Sequence, residues 1–181
     1  MKIRETSLPG VLVLTPTIHR DGRGVFFETW NRRQMEEAGL PRQWAQDNSS
    51  LSKKNVLRGI HYQISQPQGK LVRVTHGAVL DLAVDLRRSS PSFGQHVLVE
   101  LTGDDAEMLW IPEGFGHGFL VLSEVAGFAY KVTDYYSAVA ERTIQWNDSD
   151  LAIPWPISPD EVIVSAKDRL GSPFRDADIF P

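Results

Sequence analysis

The stretch Arg58-Gly59-Ile60-His61-Tyr62-Gln63 puts a cation, an imidazole and an amide within six residues. Histidine is the side chain whose ordinary pKa suits proton transfer near neutral pH. Ile60 and Tyr62 alternate with His61 and Gln63, which predicts a β-strand. Alternation puts His61 and Gln63 on one face, with Arg58, Ile60 and Tyr62 on the other. The glycine inside this pattern marks a close approach by a ligand or another backbone. A lone strand histidine is an ordinary core residue. His61 is set apart by Lys70, His117, Tyr130 and Asp168, each of which sits in a compact polar or glycine-bearing motif.

Asp21-Gly22-Arg23-Gly24-Val25-Phe26-Phe27-Glu28 has two readings. It is a hairpin with a solvated salt bridge, or it presents Arg23 to a phosphate, whose oxygens match the guanidinium fork. Gln46-Asp47-Asn48-Ser49-Ser50 is either a polar loop or a set of amides and hydroxyls for a sugar or base. Lys70 opens a strand after the turn Pro67-Gln68-Gly69. In Trp110 to Phe119, His117 stands between Gly116 and Gly118, where backbone can come near a ligand. His61, His117 and Glu113 are types that ligate zinc, iron or manganese. The chain has no His-x-His pair with a downstream Glu, as a metal-binding cupin would carry, so no metal is expected. Tyr130 is either a core aromatic or, beside a catalytic histidine, a proton donor. Asp168, in Ser165-Ala166-Lys167-Asp168, is of the type that orients a histidine and stabilises its imidazolium. Sequence alone does not bring Asp168 to His61.

The elements that must hold these groups are mostly strands. Runs at Val11–Leu14, Gly24–Trp30, Val56–Gln63, Lys70–His76, Ala78–Leu86, His96–Leu101, Met108–Ile111, Phe119–Leu122 and Gly127–Thr133 carry strand patterns. Along Ala78–Leu86, Leu80, Leu82, Val84 and Leu86 share one face, and Asp81, Ala83 and Asp85 the other. Gly, Pro, Asp and Ser clusters punctuate the runs, which predicts a sandwich or barrel. One helix is expected after Asn31 as N-cap, with Met35 and Ala38 as its apolar stripe and Gly39 and Pro41 as its stop. A short helical turn is expected near Ser165–Leu170, within an irregular tail from about residue 147. The architecture predicted is a single mainly β domain, residues 1–181, folded as an antiparallel jelly roll with a ligand site in its cavity or open end.

The 181 residues suffice for a core without staples. A formal net charge of −4 argues against a nucleic-acid binder. The absence of cysteine removes disulfides, thiolate catalysis and Cys-based zinc sites. Met1-Lys2-Ile3-Arg4-Glu5 leads into no apolar signal region, and no apolar run would span a bilayer. The default expectation is the cytoplasm, with no membrane partner.

Taken together, the motifs resemble the dTDP-4-dehydrorhamnose 3,5-epimerase family. The resemblance runs from about Gly10 to Pro173 and keeps the motifs in order: Asp21 to Glu28, Gln46-x-Asn48, Arg58-Gly59-Ile60-His61, Trp110 to Phe119, Tyr130-Lys131 and Trp155-Pro156. It implies a metal-independent, cupin-like jelly roll that forms a homodimer. The implied reaction epimerises dTDP-4-dehydro-6-deoxy-D-glucose at C3 and C5, towards dTDP-L-rhamnose. By the resemblance His61 is the base, Asp168 its orienting partner, Tyr130 the acid on the opposite face, and Lys70 the neighbour of the 4-keto oxygen. Arg23, Glu28, Gln46, Asn48, Arg58, His117, Glu141 and Lys167 are implied to bind substrate, and Tyr136 to stack on the thymine. The residue types suit the reaction, because C3 and C5 both flank a ketone and lose a proton to an enolate. No redox step occurs, in keeping with the lack of a Gly-x-Gly-x-x-Gly fingerprint, so no cofactor is expected. Relatives that invert a single carbon keep much the same catalytic set. A single-carbon epimerase and a non-catalytic sugar-binding cupin are therefore the alternatives.

Overall fold

The computed structural model describes residues 1–181. Two antiparallel sheets face each other. The first has six strands, in the order β1 (Lys2–Glu5), β2 (Leu12–Thr15), β10 (Met108–Ile111), β7 (Lys70–His76), β12 (Val125–Val132) and β5 (Gln46–Lys53). The second has five, in the order β13 (Glu141–Thr143), β6 (Leu57–Gln63), β11 (Phe115–Val121), β8 (Ala78–Asp85) and β9 (His96–Thr102). A small hairpin of β3 (His19–Asp21) and β4 (Gly24–Phe26) belongs to neither. Helix α1 (Arg32–Glu37) begins as expected, with the Asn31 side chain accepting from the backbone of Arg33 and Gln34. Helix α2 (Ala166–Arg169) is one turn, capped by Ser165.

The main core lies between the sheets. Val72, Val74, Leu109, Ile111 and Phe128 of the first meet Val79, Ala83, Phe115, Phe119 and Val121 of the second. The outer faces are also covered. The irregular tail lays Leu151, Ala177 and Ile179 over Ile60, Tyr62, Leu82, Val84 and Leu86. Met35 of α1, with Trp30 and Trp44, covers Leu14, Leu71, Met108 and Trp110. This double cover explains the long apolar strands, since each buried aliphatic or aromatic side chain contributes roughly 1.5–3 kcal/mol. It also explains why every residue of β11 is buried, His117 included.

Two expectations are corrected here. Gln46–Ser50 is not a loop but the start of β5, an edge strand. Arg58 is not on the face opposite His61. The β6–β11 register slips by one residue between the pairs His117–His61 and Phe119–Arg58. The slip turns Arg58 to the same side as His61 and leaves Ile60 and Tyr62 in the outer core. The glycine of the strand does mark a close approach, and the neighbour is backbone. A Cβ on Gly59 would stand 2.6 Å from Cα of Gly118, and its φ of +134° disfavours a side chain.

Gly59→Ala should therefore lower stability by roughly 1–3 kcal/mol or more, from strain and crowding together. Denaturant midpoints check it. An unchanged midpoint would mean that the strands do not need this approach.

Candidate active site

Between the sheets, at one end, lies a cleft of about 350 Å³. Its lining includes Asn48 and Ser50 from β5, Arg58 and His61 from β6, Lys70 from β7, His117 from β11 and Tyr130 from β12, with Tyr136 and Glu141 at the mouth. The cleft thus gathers eight of the anticipated residues.

His61 is set by Asp168. Its Nε2 lies 2.6 Å from Asp168 Oδ1, across 107 residues of chain. Asp168 sits on α2, its backbone N–H held by the Ser165 hydroxyl. Burial pushes the Asp168 carboxyl up, but the His61 hydrogen bond and charge, with Ser165 and Lys167, bring it below the ordinary carboxylate value. An ionised Asp168 accepts from Nε2–H, which leaves Nδ1 as the basic nitrogen.

Lys70 is buried, and its Nζ donates to the Gln68 carbonyl at 3.3 Å. Burial lowers its pKa to about 8, against the opposing pull of Glu141. Tyr130 stands on the facing sheet from His61. Burial raises its phenol, Arg58 works against this, and Glu141 adds to it. Arg58 donates from Nε and Nη2 to the Ser52 hydroxyl at 3.2 and 3.1 Å and has no carboxylate partner. Its remaining donors suit an anion.

At the mouth, the Tyr136 hydroxyl donates to Glu141 Oε2 at 2.7 Å. Glu141 also pairs with Lys167, the neighbour of Asp168 in the chain. Burial pushes the Glu141 carboxyl up, and Lys167, Tyr136 and His61 outweigh it to hold it low. Gln46 donates to Asn48 Oδ1 at 2.7 Å and accepts from the Tyr136 backbone at 3.2 Å.

Sequence reasoning missed Asp81. It is fully buried on β8 and lies 3.1 Å through each carboxylate oxygen from His117 Nε2. Burial raises its carboxyl, and the His117 charge and hydrogen bond offset part of the rise. The available signal was an aspartate in the middle of a strand whose neighbours are all apolar. Nowhere do three or more His, Asp or Glu side chains converge as a metal set would.

Arg23 and Glu28 do not reach this cleft. Arg23 is exposed over 91% of its side chain and pairs with Asp21, on the β3–β4 hairpin. Glu28 accepts from Asn31 and Gln34 at the start of α1.

The buried Lys70 has a sign that can be checked. Its folded pKa of about 8 lies below the 10.5 of an unperturbed lysine, so the unfolded chain binds more protons between those values. Stability then rises with pH across that window, and below pH 8 the full cost of the buried cation is present. Lys70→Met should stabilise the fold at pH 7 by up to roughly 3 kcal/mol, a gain that fades near pH 10. Denaturant midpoints of both chains at the two pH values test this. A gain that is absent, or equal at both, would mean that Lys70 is not desolvated.

Residues 5–176 match the family model described as dTDP-4-dehydrorhamnose 3,5-epimerase. The chain is 52% identical, over the whole of both chains, to dTDP-4-dehydrorhamnose 3,5-epimerase of Pseudomonas aeruginosa. It is 49% identical to the Escherichia coli enzyme of that name, over 93% of this chain and 92% of the other. Its fold superposes with a TM-score of 0.94 on a crystal structure of the Legionella pneumophila dTDP-6-deoxy-D-glucose-3,5-epimerase in complex with dTDP-4-keto-L-rhamnose. That pair is 46% identical and covers 98% and 94% of the two chains. A cleft with an aspartate-held histidine, a tyrosine on the facing sheet and a buried lysine, carried on a sequence this close to those enzymes along its whole length, identifies the chain as a member of the dTDP-4-dehydrorhamnose 3,5-epimerase family.

Proposed function

We propose that this chain inverts C3 and C5 of dTDP-4-dehydro-6-deoxy-D-glucose to give dTDP-4-dehydro-L-rhamnose, for dTDP-L-rhamnose synthesis, with His61 as base and Tyr130 as acid. One observation carries the reading. An Asp168-held imidazole and a phenol stand on facing sheets around a buried ammonium. Nδ1 of His61 takes the proton from the carbon beside the ketone, and the electron pair moves onto O4. Lys70, still charged at neutral pH, stabilises that oxyanion. Tyr130, kept protonated by its raised pKa, delivers a proton to the other face of the same carbon. The phenolate and imidazolium then exchange with water, so no net proton or electron is consumed and no cofactor or metal is needed. The same events at the second carbon complete the product.

In this reading Arg58 meets the diphosphate, and the Tyr136 ring stacks on the thymine. Gln46, Asn48, His117, Glu141 and Lys167 surround the remainder. Arg23 and Glu28 serve through a homodimer. The β3–β4 hairpin is exposed at every residue, with Phe26 70% and Val25 54% exposed. A lone two-stranded hairpin is marginal in water, and β5 offers an open strand edge beside the cleft. A hairpin from a second copy laid along β5 would satisfy both and bring its Arg23 to the diphosphate.

NMR of the substrate with the protein in D2O tests the chemistry. Deuterium should enter at C3 and C5. Label at one carbon only would make the chain a single-carbon epimerase, and none would make it a binding module. His61→Ala should lower turnover by roughly 10²-fold or more. Tyr130→Phe should keep exchange from the base side while inverted product falls sharply. Wild-type product formation by the Phe variant would remove Tyr130 as the acid.

Subunit mixing tests the homodimer. His61→Ala and Arg23→Ala chains should each be weak alone. Mixed in equal amounts and allowed to exchange, half the dimers combine both chains and hold one intact site, so about a quarter of wild-type activity should return. No recovery in mixtures shown to contain the mixed dimer would confine each site to one chain.

A further inference from the structure

Tyr136 stands on a segment without regular structure, Tyr135–Ser137, and is half exposed. Such a segment would be expected to wander, and a wandering ring is a poor stacking platform. Its backbone is instead held from below by a side chain that none of the site roles uses. Gln63 is 3% exposed and lies two residues beyond His61 on β6. Its Oε1 accepts from the Ser137 N–H at 2.7 Å. Its Nε2 donates to the Tyr135 carbonyl at 3.2 Å and to the Gln66 carbonyl at 2.7 Å. The amide thus grips the backbone on both sides of Tyr136, and it ties that loop to the turn before Lys70.

The orientation of the amide is dictated by its partners, two carbonyls on the nitrogen and one N–H on the oxygen. A hydrocarbon at this position would leave three backbone groups without their partner. A carboxylate would set an acceptor against two carbonyl oxygens. Gln63 is nearly isosteric with Glu, so that second change alters the hydrogen bonds while keeping the volume.

We propose that Gln63 is a positioning residue that fixes the Tyr136 ring and thereby sets affinity for the thymidine nucleotide, without taking part in proton transfer. This rests on the reading of Tyr136 as the stacking residue. Preorganisation is the physical route, since a ring already in place loses less freedom on binding. Base–aromatic stacking is worth about 1–3 kcal/mol, or roughly 5- to 150-fold in affinity. That range bounds what losing the anchor can cost.

The test is calorimetric titration of the full-length protein with dTDP, alongside steady-state kinetics. Gln63→Leu and Gln63→Glu should each weaken dTDP by roughly 10-fold and raise KM in parallel, within the range for stacking. Turnover at saturating substrate should stay within about threefold. In a Tyr136→Ala background the Gln63 change should add little, because the ring it positions is gone. If Gln63→Leu does not fold, the isosteric Gln63→Glu carries the comparison. If Tyr136→Ala leaves dTDP affinity unchanged, the stacking reading has failed. If Tyr136→Ala weakens dTDP but the Gln63 variants do not, the present inference is overturned and the stacking reading stands. A Gln63 loss that falls on turnover, or adds in full to that of Tyr136→Ala, also overturns it.

Discussion

The contact between His61 and Asp168 spans 107 residues of chain and ties an inner strand to the tail that wraps it. β6 belongs to the inner sandwich, while Asp168 lies in the irregular tail that wraps the outside of the same sheet. The 2.6 Å separation is short for a hydrogen bond from nitrogen, as expected when the acceptor is charged. It can form only because the tail is pinned on both sides. Ile163 bridges to Val56, and Ser172 bridges to Ile144. Leu151, Ala177 and Ile179 supply the apolar cover that makes this wrapping favourable. The tail is thus both the outer wall of the core and the source of the group that selects the histidine tautomer.

The same economy governs the charges. A sandwich covered on both faces has little room for an unpaired ion, and its buried carboxylates are each paired or hydrogen-bonded. Asp81 is answered by His117, and Glu141 by Lys167 and Tyr136. Lys70 is the exception, with only a carbonyl at 3.3 Å. Its lowered pKa is the signature of that poor match. A cation left undercompensated in a cleft is costly to the apo fold and well suited to a developing oxyanion, and both follow from the same geometry. Glu141 at the mouth tempers the cost by drawing the Lys70 pKa back up, and it adds to the rise of the Tyr130 phenol.

How much of this was legible depended on whether a feature was local. β7 and β10 coincide with the runs Lys70–His76 and Met108–Ile111, because their alternation or continuous apolar character is set by burial. The caps Asn31 and Ser165 mark their helices for the same reason, a side chain satisfying the next turn's N–H groups. β5 escaped because a strand that is both cleft wall and open edge has no reason to be apolar. Arg58 was set on the wrong face because strict alternation fails where the register slips. Asp81 escaped because a buried aspartate is meaningful only once its partner, 36 residues away, is seen beside it. The grouping of His61, Lys70, Tyr130 and Asp168, proposed as catalytic, came from resemblance, since no periodicity joins positions so far apart.

Arg23 shows where a single copy falls short. The motif around it matches the family, yet its guanidinium points to water and meets only its neighbour Asp21. A surface ion pair of that kind contributes little to stability and does not explain why a hairpin should be projected away from both sheets. Phe26 and Val25 make solvent an unfavourable destination for this hairpin, and Leu51, 73% exposed on β5, makes the same complaint from the other side. A hairpin exposing Val25 and Phe26 and a hydrogen-bond-ready edge exposing Leu51 are complementary surfaces. The proposed homodimer would bring them together by a self-complementary pairing, whereas movement within one copy is restricted by the short segment between β4 and α1, anchored through Glu28, Asn31 and Gln34. Under the proposed homodimer the anion site would be divided between chains. Arg58 would supply one cation from within, and the overall charge of −4 is no obstacle to that proposal, because a diphosphate needs only a local positive field.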